Sequence, residues 1–534
     1  MAGRSVSTGV LAGVVVAIVV VAVAGALAYY YVTRRPVTTT STTTTPTTTI
    51  TTATATPTTT TTTSVPVSVS PVTITVVTYT GPSGQGFMEL AAHLFEEEHP
   101  NVKVDVVAYP FTQYISNELT VLQAGGSQYD IVTYTPANTF EFLPYLLPIN
   151  STYVNSSDLF YPVEALGGIV NNVTYGVARG TSVMLLAYYA NYFDNATYQH
   201  EFEEEYGFSL NPWTWKNWSQ LVDASKFFVE HNITKYGILL WDQTGDLDLY
   251  EAYALVFEWY YMHDPSLNCG NVMGLMPLYG DLFMGCVPSG WPYSFPPPAF
   301  NSTAGVEALE TMKQIVQYMP PPTQLLVSYD NIVPLLEEPG YAPGGFIFAI
   351  QLSYFKYKNN LTEIRLAPAP GGYALGGATF FGVSKYSAHK AVALEFISFI
   401  ASPQLQVASF YNMSNFPISK TAYRMLLENS SLPAYEREWI NATFYAAEHA
   451  YAAIPAVPIS TSALEPALEK EVLGYLEGQI TNASQALQQA ARAWVTDLAS
   501  MSATSSSTAS ASAAPAWAVS QALAPAVPPV RRAL

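Results

Sequence analysis

The side chains best suited to hold a small molecule fall in groups just past short apolar or alternating runs. They are Tyr79 with Gly81, Tyr134 with Asn138, Trp241 with Asp242 and Gln243, and Gln351 with Tyr354. Flat rings stack on the C–H faces of cyclic molecules, and planar amides and carboxylates bind hydroxyls, so such groups on loops after strands suit a ligand rich in both. The pair Gly376 and Gly377 adds a place where backbone amides can come close, because no Cβ stands in the way. The chain holds 9 Trp, 37 Tyr and 25 Phe, so a single ring taken alone reads first as core.

Bond-breaking chemistry has less to stand on. There is no Gly-x-Ser-x-Gly, no His-Glu-x-x-His and no Walker-type phosphate loop. Asp242 and Asp246 form a carboxylate pair of the type glycoside cleavage uses, which leaves an exported hydrolase as the enzymatic alternative. No Cys-x-x-Cys or Cys/His cluster points to a metal, and no cofactor motif is present.

The groups are positioned by alternating elements. Val72 to Val76 alternates as a strand, and Phe87, Leu90, Ala91, Leu94 and Phe95 then recur at helical spacing, with Glu96, Glu97 and Glu98 left to water. Val102 to Tyr109 is a second strand, Gln113 to Gln123 a second helix stopped by Gly125 and Gly126, and Tyr129 to Tyr134 a third strand. Strands are also expected at Gly237 to Leu240 and Phe346 to Ile350. Strand and helix in alternation imply an α/β fold with a parallel sheet, whose ligands bind beyond the carboxyl ends of the strands. Trp213, Trp215 and Trp218 open an amphipathic helix and read as structural.

Composition bounds the rest. The 534 residues carry 21 Lys and Arg against 40 Asp and Glu, a formal charge of −19, which excludes a surface built to neutralise nucleic-acid phosphates. No charged residue occurs from Ser5 to Thr33, and Val10 to Val32 would make about 34 Å of apolar helix, enough to span a bilayer. Tyr29, Tyr30 and Tyr31 suit its interface, with Arg34 and Arg35 beyond; a long cleavable signal is the other reading of residues 1–35. Arginines on both sides leave the orientation undecided by charge. Residues 36–71 contain 20 Thr, five Pro and no charge, and read as an extended stalk of roughly 110 Å. A folded body follows over 72–499, then an Ala-, Ser- and Pro-rich tail over 500–534 expected to be disordered. Twelve of the 23 Asn begin Asn-x-Ser/Thr acceptors, an excess that points to an external, glycosylated body. A structural envelope glycoprotein would share the stalk and acceptors, but the β-rich repeats expected of one are absent. Cys269 and Cys286 are spaced to close a short loop; outside the cell they would form one disulfide worth roughly 3 kcal/mol, and two buried thiols are the alternative.

Several stretches together carry a resemblance: Phe95 to Val104, Ala124 to Val132, Tyr175 to Tyr189, Thr214 to Val222, Gly305 to Leu309, and Gly376 to Ser384 leading into Ala388 to Gln404 with its Ser402-Pro403-Gln404 helix junction. In this order they resemble the family 1 extracellular solute-binding proteins, the maltose-binding-like group that serves carbohydrate ABC importers. Anchored archaeal members with Thr-rich stalks are similar at both ends. The resemblance implies a two-lobed periplasmic-binding-protein-like fold of type II, each lobe a doubly wound sheet. Lobe 1 would be about 72–178 and 378–417, lobe 2 about 182–375 and 420–499, with crossings near Val177 to Thr181, Gly376 to Phe380 and Phe416 to Ser419. It implies a sugar or oligosaccharide as ligand, no catalysis, ABC permease subunits as partners, a monomer, and a single-pass membrane anchor with the body outside. Position in the family pattern marks Trp241 with its polar neighbours as the foremost stacking group. Arg179 has two readings there, a ligand contact or an ion pair between lobes. Iron, polyamine and peptide ligands stay open; Tyr188 and Tyr189 fall on a hinge strand and read as structural rather than iron-binding. The segment Met262 to Phe300 departs from the family as an insertion, and Phe346 to Ala349 replaces its usual Ala-Met, both beside the expected cleft.

Overall fold

The computed structural model describes residues 71–508 apart from 171, 246–247, 268–282, 294, 325, 357 and 453–458. The expected membrane helix, the stalk, Cys269 and most of the tail lie outside the described residues.

The first sheet grows from residues that alternate. Strands β1 (Val72–Tyr79) and β2 (Val102–Tyr109) pair in parallel from Val72↔Val102 to Tyr79↔Tyr109, and β3 (Ile131–Tyr134) joins β1 at Val76↔Ile131. Helix α1 (Phe87–Glu98) links β1 to β2 and buries Phe87, Met88, Ala91, Ala92 and Phe95, with Leu90 and Leu94 partly covered. Glu96 is not simply solvated: its carboxylate accepts the Val104 N–H at 2.9 Å and pairs with Lys103. Helix α2 (Phe111–Gln123) returns the chain to β3.

An all-parallel sheet is not what forms. Two further strands complete the layer in the order β2-β1-β3-β9-β4, where β4 is Gly176–Ala178 and β9 is Phe380–Val383, and β9 is antiparallel to both neighbours. The reason is topological: β9 arrives directly from the second sheet, with no crossover helix to turn it parallel. The second sheet centres on β5 (Ser182–Tyr189), which pairs antiparallel with β6 (Gly344–Phe348), β7 (Ile364–Ala367) and β8 (Ala374–Gly377); β10 (Ala450–Ala452) lies parallel to β8. Both sheets are therefore mixed. The chain passes from first to second sheet between Ala178 and Ser182, back between Gly377 and Phe380, and to the second sheet again between Val383 and Ala450.

Gly237 to Leu240 is not a strand; only Leu239 bridges Gly345. A four-residue apolar run is equally the mark of a buried connecting stretch. Phe346 to Ile350 is displaced, β6 ending at Phe348 before a 3-10 turn over Ala349–Tyr354. Trp215 and Trp218 are buried beside the start of helix α3 (Trp218–Glu230), whose cap is the Asn217 side chain accepting from Gln220. Tyr188 and Tyr189 belong to β5. Residues 500–508, expected to be disordered with the rest of the tail, instead continue the last helix, Ala483–Thr508. Among the described residues no single helix is long and apolar enough to cross a membrane.

Candidate functional site

A cavity of about 260 Å³ lies where elements of the two sheets face each other. On the first-sheet side β1 ends at Tyr79, its ring edge-on to Phe111 at 5.1 Å and tilted against Tyr114 at 5.3 Å. The turn Pro82–Gly86 folds back over that ring because residue 84 is glycine: a Cβ there would stand 2.3 Å from Tyr79 O and 2.7 Å from the ring. Arg179, in the crossing between β4 and β5, donates from Nη1 to Tyr79 Oη at 2.8 Å and to the Ser83 carbonyl. The Tyr79 hydroxyl also meets Thr379 Oγ1 at 3.1 Å. Arg179 is 3% exposed, its Nε has no partner, and among the described residues no carboxylate is in ion-pair range of it. The inter-lobe ion pair is thus not made among those residues.

The facing wall comes from the loop before β6, the turn after it, and the start of helix α4 (Asp248–His263). Tyr329 and Tyr354 meet at right angles, 5.9 Å between ring centres, with their hydroxyls 3.2 Å apart. Tyr354 Oη also contacts Ser83 Oγ at 3.2 Å, a hydrogen bond that bridges the two walls. The Tyr329 N–H donates to the Asp248 carboxylate at 3.2 Å. Glu251, one turn along, reaches the cavity too, and burial followed by the neighbouring Asp248, Glu465 and Glu469 pushes its carboxyl well above the usual carboxylate range. Glu469 accepts the Gly245 and Tyr250 N–H groups at 2.9 and 3.3 Å. Among the described residues no group of acids and histidines could hold a metal ion.

Of the side chains singled out in sequence, Tyr79, Gln243, Tyr354, Gly376 and Gly377 line the cavity. A Cβ at Gly377 would stand 2.9 Å from the Phe348 ring, so this wall closes only over glycine. The others lie elsewhere. Gly81 is exposed at φ +107°, opening the 82–86 turn. Tyr134 is fully buried between Phe142 and Phe380, its hydroxyl donating to Gly167 O at 3.2 Å. Asn138 bonds Thr135 and Glu141 beside it.

Trp241 is the largest departure. In place of a ring that stacks on ligand, the indole is 1% exposed, behind the wall and edge-on to Tyr329 and Phe348 at 5.8 and 5.7 Å. Asp242 is buried with it, accepting the Val327 N–H at 3.1 Å; burial raises its carboxyl to about 7, against the lowering effect of that bond. Gln351 receives the Phe348 N–H at 2.7 Å and donates to Tyr329 O at 2.8 Å. These three brace the rings that line the cavity. The physical reason is that residues just past a β-run can turn either toward the opening or back under the neighbouring turn, and sequence does not distinguish the two.

Residues missed in sequence include Ser83, Phe111, Tyr329, Phe348, Asp248 and Glu251. Phe111 carried a usable signal, a ring two residues past the end of β2.

The description "bacterial extracellular solute-binding protein" matches residues 79–407, more than half of the 534. The chain belongs to that family. Among curated proteins none matches. Among solved structures, this solute-binding protein is similar to maltose-bound MalE3 of T. maritima, at 18% identity and TM-score 0.59 over 80% of this chain and 100% of that one. It is similar to the sugar-binding protein MalE of Xanthomonas citri, at 18% and 0.60 over 80% and 98%. A solute-binding protein of Agrobacterium vitis S4 with bound D-mannitol aligns at 14% and 0.59 over 80% and 99%. At such identities the likeness carries the fold, a two-lobed α/β body with mixed sheets.

Proposed function

We propose that this solute-binding protein captures a sugar or short oligosaccharide in the cavity between its two sheets and delivers it to the permease subunits of an ABC importer. The observation that carries the reading is the cavity itself, where the rings of Tyr79, Phe111, Tyr329, Phe348 and Tyr354 stand among hydroxyls and carboxylates, the mixture that binds C–H faces and hydroxyls together. Structural neighbours hold maltose, D-mannitol and maltotetraose, which supports the same class of ligand. In this reading 72–178 with 378–417 and 182–375 with 420–499 are lobes that close on the ligand. The Ser83–Tyr354 bond is then a contact of the closed form. The apolar segment within 1–35 tethers the protein, the stalk lifts a monomeric, glycosylated body outside the membrane, and Cys269 bonds Cys286.

Calorimetric titration against a panel of mono- and oligosaccharides tests the function. At least one saccharide binds with a Kd near or below micromolar, about −8 kcal/mol, and is recovered unhydrolysed. Binding of none of them, or its turnover abolished by substituting a cavity carboxylate, overturns the reading. Thiol titration of the denatured, unreduced protein returns no free thiol; two would remove the disulfide and weaken the external placement.

A further inference from the structure

Resting on that reading, we infer that the ligand is an acidic sugar, a uronate or uronate-ended disaccharide whose carboxylate docks on Arg179.

Arg179 is nearly wholly buried, lines the cavity, and has no carboxylate within reach among the described residues. A buried charge without a counter-charge is costly, and the guanidinium, unlike a carboxyl, cannot escape that cost by losing its charge. Its surroundings are neutral: Nη1 donates to the Tyr79 hydroxyl and the Ser83 carbonyl, and Gln406 and Asn415 bind its own backbone oxygen at 3.0 and 3.2 Å. With Nη1 occupied, Nε remains without a partner. The Nε edge of a guanidinium is one of the two edges that receive a carboxylate by a pair of parallel hydrogen bonds.

The acids on the other wall do not supply the missing charge. Asp248 holds the Tyr329 N–H, Glu469 holds those of Gly245 and Tyr250, and Asp330, which also lines the cavity, is exposed and outside ion-pair range of Arg179. Burial and then the neighbouring Asp248, Glu465 and Glu469 push the Glu251 carboxyl well above the usual carboxylate range, which favours a donor to a sugar hydroxyl over a partner for an ammonium group. A single carboxylate therefore balances the single cation. A phosphate, carrying more charge, would leave an excess facing that acidic wall. The volume, about 260 Å³, is near the small end of ligand pockets, roughly 300 Å³, and suits one or two rings.

The test is calorimetry on the full-length chain at pH 7 with three matched series built on glucose, galactose and mannose. Each series holds the neutral sugar, its uronate, the uronate methyl ester and the 6-phosphate. In the series that binds, the uronate binds roughly 10- to 100-fold more tightly than the neutral sugar or the ester, and Arg179→Gln removes that preference. Arg179→Lys, which keeps the charge without the fork, restores part of it. The ester comparison needs no variant, so a misfolded substitution leaves the inference testable. A neutral sugar or ester binding as tightly as the uronate overturns it while sustaining sugar capture. A 6-phosphate binding better than the uronate overturns the carboxylate assignment. Failure of every saccharide, in these series and in the wider panel of mono- and oligosaccharides, overturns the proposed function itself.

Discussion

The two walls of the cavity are built on opposite principles. The first-sheet wall is shallow and carries a permanent charge: Tyr79 ends a regular strand and Arg179 stands in a three-residue crossing. The opposite wall is deep and carries charge that can be discharged. Its rings rest on Trp241, Asp242 and Gln351, and its acids include Glu251, pushed well above the usual carboxylate range by burial, and behind it Asp242, raised to about 7. The contrast teaches that a binding surface can be assembled either from the end of an element or from a second layer that props up loops. Only the second kind ties ligand affinity to core packing and to pH.

The strongest way to break the contrast is Trp241→Ala. As a prop in the core its truncation costs about 3 to 5 kcal/mol of stability, read by thermal melting without ligand. An unchanged melting temperature with lost affinity would move Trp241 into the site and dissolve the distinction between layers. Tyr354→Ala, at the surface of the same wall, has the reverse profile: affinity falls by roughly 2 kcal/mol, about thirtyfold, with a smaller change in melting.

The pH response sharpens the difference next. Asp242 keeps its proton in the folded state up to about pH 7, while the unfolded chain releases it near the usual carboxylate value, so stability is full below about pH 4 and is lost as pH rises toward 7. The slope contributed is at most about 1.4 kcal/mol per pH unit, and Asp242→Asn flattens a melting series across that window. A profile as steep in the variant as in the parent would remove Asp242 as the titrating group. The smallest effect belongs to Tyr354→Phe, which deletes the hydroxyl between Ser83 and Tyr329 but keeps the ring. Affinity should fall by about 0.5 to 1.5 kcal/mol, and a loss equal to that of Tyr354→Ala would mean the ring itself contributes nothing.

The same contrast explains what could be read from sequence. Val102 to Tyr109 matches β2 end for end because a half-buried strand alternates, and the face of α1 was visible in the spacing of Phe87, Ala91 and Phe95. Tyr79 reaches the cavity because the end of such a strand has one way to point. Trp241 and Gln351 have no such constraint: a short apolar run before them fits a strand or a buried stretch equally, and their direction is decided by Val327, Tyr329 and Phe348, over 80 residues away or in the adjoining turn. Tyr329 itself follows no periodic segment, so nothing local marks it. Arg179 was visible as a charge in an apolar strand-to-strand passage, but its lack of a partner is a property of the packed structure alone.

The crossings between the sheets have a mechanical consequence. Two of the three are short, three residues at 179–181 and two at 378–379. At about 3.5 Å per residue such links have little slack. The first is also bolted down, since Gln406 and Asn415 grip Arg179 O and Thr181 Oγ1 meets Tyr423 Oη at 2.7 Å. Joined this way, the sheets can turn about the links but not drift apart. Loading should therefore register as a change of angle between labels placed on either side, with almost none in hydrodynamic radius.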